Sequence, residues 1–248
     1  MVAHAGLVQD IPDLNVEALV FDVFGTLVDW RTSLIDDLAA FGNARGLVVD
    51  WPALVDLWRA AYVPSMDRVR RGELPWTTLD ALHRTSFDAL ANDFGIGAAL
   101  DEAARRWCAD RWHRLRPWPD TVTGLARLRA RYVLGTLSNG NVRLLTDLAK
   151  SAPLPVDVIF SAELFRRYKP DPEVYRGAAE LLATAPGRVM MVAAHTGDLH
   201  AAAREGMRTA FVARPAEYGP HHPADVAADG EFDVSVRDLG ELADRLGA

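Results

Sequence analysis

The chain has 248 residues and a formal net charge of −7, with half its residues hydrophobic and a quarter charged. That length buries one large core, or one core and a smaller domain, and that charge argues against nucleic acid or an anionic membrane as the main partner. A single cysteine, Cys108, excludes an internal disulfide and points to a reducing compartment.

The N-terminal stretch MVAHAGLVQDIPDLNVE has neither a basic segment nor a long apolar one, so it does not read as a signal peptide. No apolar run approaches the ~20 residues of a membrane span, and a cytoplasmic protein is expected. The first predicted strand is Ala18–Val23, in the stretch FDVFGTLVD. It delivers Asp22 to a strand tip; Gly25 permits a tight turn, and the Thr26 hydroxyl can hydrogen-bond a carboxylate held over that turn.

Residues 32–118 contain no strand-like run. Apolar residues recur there at helical spacing, as in Leu34, Ile35, Leu38, Phe41 and in Leu54, Leu57, Trp58, Ala61, punctuated by glycine and proline. A helical insert so soon after Asp22 is expected to return over the strand ends as a cap. Further strands are predicted over Tyr132–Leu137, Val156–Phe160, Val189–Ala194 and Thr209–Ala213, with Phe232–Val236 as a last one. Strands alternating with helices predict an α/β fold: a Rossmann-like, doubly wound parallel sheet with an inserted α-helical cap domain. The predicted core is 1–31 with 119–248, and the cap is 32–118. Ligands of such sheets bind beyond the carboxyl ends of the strands, where Asp22, Ser138, Ser161 and His195 stand.

Each of these residues also has a structural reading. Ser138-Asn139-Gly140 alone reads as a turn. Asp171 before Pro172 reads as a helix N-cap and is assigned to structure. Asp198 could cap a helix Leu199–Glu205, and His195 could be a satisfied structural histidine. Lys169 stands out: the chain has only two lysines, and this one lies in the stiff segment Tyr-Lys-Pro-Asp-Pro.

The ordered set is more specific than its parts: a strand-ending Asp-x-x-x-Thr, a strand-ending Ser-Asn, a Lys-Pro and a strand-ending Gly-Asp. In these motifs the chain resembles the haloacid dehalogenase superfamily over nearly its whole length. DVFGTLVD is most similar to the first motif of the L-2-haloacid (type II) dehalogenases, supported by SNG at 138–140, YKPDPEVY at 168–175 and Leu57-Trp58-Arg59. The resemblance implies hydrolysis of short (S)-2-haloacids to (R)-2-hydroxyacids, with no cofactor and no metal. It implies Asp22 as nucleophile, Thr26 as its support, Lys169 as the adjacent cation, and Asp198 orienting the hydrolytic water. Ser138 and Asn139 would bind the substrate carboxylate and leaving region. Arg59, Phe24, His195 and Tyr175 complete the implied set around substrate and halide. One departure is that better-known members carry serine and asparagine where this chain has Ala193 and His195. Substrate range and water activation stay open on that account, as do the preferred halogen and a homodimer.

The residue types suit the implied chemistry. A carboxylate attacking carbon beside another carboxylate meets a like charge, worth about 4 kcal/mol at ~4 Å and an effective dielectric near 20. Cations are therefore needed on both sides of the reacting carbon: Lys169 to keep Asp22 ionised and Arg59 for the substrate carboxylate or halide. Phe24 stands where the phosphatase branch carries an acidic residue; halide is a weak base and needs no proton. A magnesium-dependent phosphatase is the alternative, weakened by Phe24 and by Ala202 four residues after Asp198. A phosphonatase would need a cap lysine, which 32–118 lacks. A non-catalytic binding module would leave all four motifs without purpose.

Overall fold

The structure, a computed structural model, describes residues 14–220 and 222–248. Residues 1–13, most of the stretch read for leader features, lie outside that range. Strand β1 (Ala18–Phe21) leads through β2 (Val28–Asp29) into helices α1 (Trp30–Asn43), α2 (Trp51–Ala60), α3 (Tyr62–Arg70), α4 (Leu79–Asp93) and α5 (Glu102–Ala109), then β3 (Arg116–Pro117). The chain continues as α6 (Thr121–Arg129), β4 (Val133–Ser138), α7 (Val142–Ser151), β5 (Val158–Ser161), α8 (Ala162–Phe165) and α9 (Pro172–Leu181). It ends with β6 (Val189–Ala193), α10 (Thr196–Arg204), β7 (Arg208–Val212), β8 (Val234–Val236) and α11 (Leu239–Arg245).

Among the described residues, six strands form one parallel sheet in the order β5-β4-β1-β6-β7-β8. β1 is central, and Leu19, Val20 and Phe21 are fully buried. Leu19 and Phe21 enter one apolar layer and Val20 the other, as the alternation of a strand covered on both faces requires. All six predicted strands are present, with ends shifted by one or two residues.

The segment between β2 and β3 is helical, as its periodicity predicts. Trp30, Leu34, Leu38 and Phe41 bury one stripe of α1, and the Asp29 carboxylate caps its start by accepting the Thr32 N–H at 2.9 Å. One detail differs from expectation. Residues 116–117, read as part of a strand-free segment, pair antiparallel with β2 through Val28↔Pro117 and Asp29↔Arg116. Two residues carry no periodicity; only the meeting of the two ends of the insert creates this ribbon.

Side chains lock the insert onto the core. Arg70 of α3 donates to Asp171 at 2.7 and 2.9 Å, and Tyr168 donates to the Thr77 carbonyl at 2.6 Å. His113 bridges Asp80 and Asp147, each at 3.1 Å. Asp171 does occupy the N-cap of α9 ahead of Pro172, yet its carboxylate makes no cap hydrogen bond; it is spent on Arg70. No helix among the described residues is long and apolar enough to cross a membrane.

Candidate active site

Asp22 directly follows β1, and its N–H donates to the Val192 carbonyl on β6 at 3.0 Å, which fixes the backbone at the sheet's carboxyl edge. Gly25 then takes φ +87°, which an L side chain rarely adopts, and Thr26 turns back so that its hydroxyl donates to Asp22 Oδ2 at 2.9 Å. The Ala194 N–H donates to that hydroxyl at 2.9 Å, so the threonine proton is directed at the carboxylate.

Two cations flank Asp22. Lys169 Nζ donates to Oδ1 at 3.0 Å, and His195 Nδ1 lies 3.1 Å from Oδ2. Burial opposes the Asp22 charge, but Lys169, then the hydrogen bond from His195, outweigh it and hold the carboxyl far below the ordinary range. The Lys169 ammonium also bridges to Asp198 Oδ2, while Tyr175 donates to Asp198 Oδ1 at 2.6 Å. Burial opposes the ammonium as well; the pull of Asp198 and Asp22 keeps its pKa above the usual lysine range. Burial, aided by the nearby Asp22 charge, pushes the Asp198 carboxyl up against the pull of Lys169. Asp198 therefore does not cap a helix at Leu199. The helix begins at Thr196, and Asp198 sits in its first turn with its carboxylate turned to Lys169 and Tyr175.

His195 does not stand free. Its Nε2 lies 3.0 and 3.1 Å from the two oxygens of Glu217, so both ring nitrogens face carboxylates. Burial disfavours the imidazolium, but the hydrogen bonds to Asp22 and Glu217 prevail and push its pKa up to about 10. Glu217 is 1% exposed and accepts the Trp30 Nε1–H at 3.1 Å; Arg59 Nη2 lies 3.9 Å from it. The groups thus alternate in charge, from Arg59 through Glu217, His195, Asp22 and Lys169 to Asp198.

A cavity of about 330 Å³ opens above Asp22. The core contributes Asp22, Phe24, Asn139, Lys169, Tyr175, His195 and Asp198 to its wall, and the insert contributes Arg59, Tyr62 and Met66. Arg59, in the last turn of α2, lies over the rings of Tyr62 at 4.4 Å and Trp30 at 5.3 Å. Its Nη1 is buried with no hydrogen-bond partner among the described residues. Phe24 meets Trp112 edge-on at 5.5 Å. Asn139 accepts the Lys169 N–H at 2.7 Å, which aligns the two segments. Two expected residues lie off the cavity wall: Thr26, which bonds Asp22, and Ser138, which does not. Ser138 is fully buried, and its hydroxyl accepts the Gly140 N–H at 3.3 Å.

Glu217 and Tyr218 were not anticipated. Arg214 pins their segment, donating to the Thr26 carbonyl at 2.9 Å and to both Asp120 oxygens at 2.7 and 2.9 Å. The available signal was position: the segment follows β7 at the sheet's ligand edge. Gly25 also makes room for Glu217, since a Cβ there would sit 2.1 Å from Glu217 Oε1.

The residues present do not fit a metal. Both oxygens of Asp22 and both of Asp198 already hold donors, and Lys169 occupies the bridge between the two carboxylates. Among the described residues no group of three or more His, Cys, Asp or Glu is arranged to hold one.

A family model of haloacid dehalogenase-like hydrolases matches residues 16–206. (S)-2-haloacid dehalogenase 4A of Burkholderia cepacia is 30% identical over 217 residues, spanning 82% of this chain and 87% of that protein. (S)-2-haloacid dehalogenase 1 of Pseudomonas sp. (strain CBS-3) is 29% identical, spanning 82% and 88%. The crystal structure of an L-2-haloacid dehalogenase superposes with a TM-score of 0.90 at 50% identity, covering 94% of this chain and 99% of that one. That of a defluorinating L-2-haloacid dehalogenase does so with a TM-score of 0.91 at 46% identity, covering 94% and 96%. Family model, relatives and fold agree: the chain belongs to the haloacid dehalogenase-like hydrolases, among the (S)-2-haloacid dehalogenases.

Proposed function

We propose that the chain hydrolyses short (S)-2-haloacids to (R)-2-hydroxyacids and halide through an ester on Asp22. The observation that carries this reading is the setting of Asp22: a carboxylate held ionised by Lys169 and His195, under a cavity whose wall carries Phe24 in place of an acid. Residues 32–118 act as a helical cap that supplies Arg59, and the single, fully buried Cys108 suits a reducing, cytoplasmic setting.

Asp22 attacks the substrate carbon from the side opposite the halogen. One C–O bond forms, the C–X bond breaks, and the halide leaves with the electron pair. The Arg59 guanidinium and the Asn139 amide, both on the cavity wall, are the donors that receive the substrate carboxylate and the departing halide. No proton is required at this step, so an aromatic wall that excludes water serves better than an acid. Water then attacks Asp22 Cγ while Asp198 takes its proton; the raised Asp198 pKa suits that role. The same proton passes to the departing alkoxide, and the restored Asp22 carboxyl ionises beside Lys169. Splitting one displacement into two steps is the gain from covalent catalysis.

The test is halide release from (S)- and (R)-2-chloropropionate and fluoroacetate beside phosphate release from a phosphate ester, with and without excess chelator. Fluoroacetate is included because one relative is a defluorinating enzyme. Chloride from the S acid alone, undiminished by chelator, is expected. With excess enzyme, one turnover in ¹⁸O-water should label the Asp22 peptide and leave the new hydroxyl unlabelled. Label in the hydroxyacid on the first turnover would assign Asp22 to general-base chemistry instead. Phosphate release that magnesium restores after chelation would move the chain to the phosphatases.

A further inference from the structure

The two oxygens of Asp22 are not equivalent. Oδ1 accepts one hydrogen bond, from Lys169; Oδ2 accepts from Thr26 and faces His195 Nδ1. Oδ1 therefore keeps the freer lone pair for attack on carbon, and Oδ2 is left as the carbonyl oxygen of the ester. When water adds to Cγ, the carbonyl electrons move onto Oδ2, between the Thr26 hydroxyl at 2.9 Å and His195 Nδ1 at 3.1 Å. Collapse re-forms the carbonyl and breaks the Cγ–Oδ1 bond.

His195 is poorly placed to be the base for that water. Its Nδ1 faces Asp22 and its Nε2 faces both Glu217 oxygens, all of them acceptors, so each nitrogen carries a hydrogen. Glu217, fixed by Trp30 Nε1 and by the turn that Arg214 anchors, sets the orientation of the ring. Resting on the reading that Asp22 forms an ester, we propose that Thr26 and His195 are the oxyanion donors for its hydrolysis. Glu217 is the positioning residue that keeps His195 charged and aimed at Oδ2.

This assigns Glu217 to the second half-reaction. Asp22 and Glu217 are the charged groups facing the imidazole; Arg59 lies behind Glu217, and Lys169 and Asp198 lie across Asp22. Rapid-quench kinetics with (S)-2-chloropropionate, with mass spectrometry of the Asp22 peptide, separates ester formation from hydrolysis. Glu217→Gln should keep a chloride burst near the wild-type rate while slowing hydrolysis about 10-fold or more, so that the ester accumulates. Glu217→Asp should recover part of the loss. Hydrolysis in the Glu217→Gln chain should also fail at a lower pH than in wild type, because the imidazolium loses its second carboxylate; a merely structural residue would not move that midpoint. If Glu217→Gln does not fold, His195→Gln reads the same step, with hydrolysis slowed ~10²-fold. Equal slowing of both half-reactions, or no ester build-up, overturns the inference while leaving the dehalogenase reading intact. Wild-type enzyme that releases no chloride from the S acid overturns that reading and the inference with it.

Discussion

Two histidines near the site show how one side chain takes opposite states in neighbouring regions. His195, at the carboxyl edge of the sheet, lies between Asp22 and Glu217, and its pKa is pushed up to about 10. His83, on α4 in the helical insert, is stacked on Trp112 at 4.2 Å, and neither ring nitrogen has a partner among the described residues. Burial, opposed only in part by Asp80, drives it down to about 3. The His83 ring is buried, and the His195 side chain is 22% exposed, towards the cavity. What separates their states is whether carboxylates face them. The sheet edge collects alternating charges and satisfies each; the insert wall collects Trp30, Trp58, Trp112 and Tyr62 and keeps its histidine neutral. A charged floor under an aromatic roof is what anion displacement in a water-poor pocket requires.

The strongest way to break this division is at the floor. Asp22→Asn should lower turnover of a haloacid by about 10⁴-fold or more, since the group proposed to attack carbon is lost. Steady-state halide release checks this, and a fold-change near ten would remove Asp22 as nucleophile. Next comes stability. His195→Phe should cost on the order of 3 kcal/mol, because it takes from Glu217, 1% exposed, its hydrogen-bonded cation and leaves as a cation only Arg59 Nη2 at 3.9 Å. Arg59→Ala, at the boundary of floor and roof, should lower kcat/KM by ~10²-fold, about 3 kcal/mol of a lost charge-assisted contact. A folded variant with near-normal turnover would reduce Arg59 to a stem packed on Tyr62 and Trp30.

The roof predicts a much smaller change. His83→Phe should lie within ~1 kcal/mol of wild type in urea unfolding, since an apolar ring replaces nitrogens that have no partner. A loss above ~2 kcal/mol would mean that those nitrogens are hydrogen-bonded in solution. The pH dependence should separate the two residues most finely. His195 has its pKa raised, so its contribution is complete below the ordinary 6.5 and fades as pH climbs towards about 10. His83 has its pKa lowered, so the folded chain loses stability as pH falls from 6.5 towards about 3, where the unfolded chain takes up the proton first. Unfolding midpoints across pH should show a shallower alkaline slope in His195→Phe and a shallower acid slope in His83→Phe, with carboxylates held low, such as Asp22 and Asp120, supplying the remaining acid slope. Flattening of both slopes in one variant would contradict their independence.

Much of this site was legible because its parts lie where local sequence is informative. An apolar run that stops at Asp22 before a glycine is a strand tip, and strand tips of a parallel sheet share one edge. Lys169 in a proline-stiffened turn and Asp198 after a buried strand follow from the same rule. The helical insert was legible from periodicity alone, since a stripe such as Leu34, Leu38 and Phe41 has few other ways to be buried. Which atom bonds which is another matter. Nothing local distinguishes Glu217, in a run of alanine, glutamate and tyrosine, from a solvated glutamate. It is buried because Arg214 ties its segment to Thr26 and Asp120. Nothing local shows that Ser138 turns to the Gly140 N–H and away from the cavity, or that both nitrogens of His195 are occupied. Pattern and composition determined the sheet, the insert and the edge where chemistry gathers, because burial of apolar area follows short-range periodicity. The protonation of His195, the choice between the oxygens of Asp22 and the place of Glu217 were decided only in three dimensions. Each depends on which charge lies within about 4 Å of another, and segments far apart in the chain supply those charges.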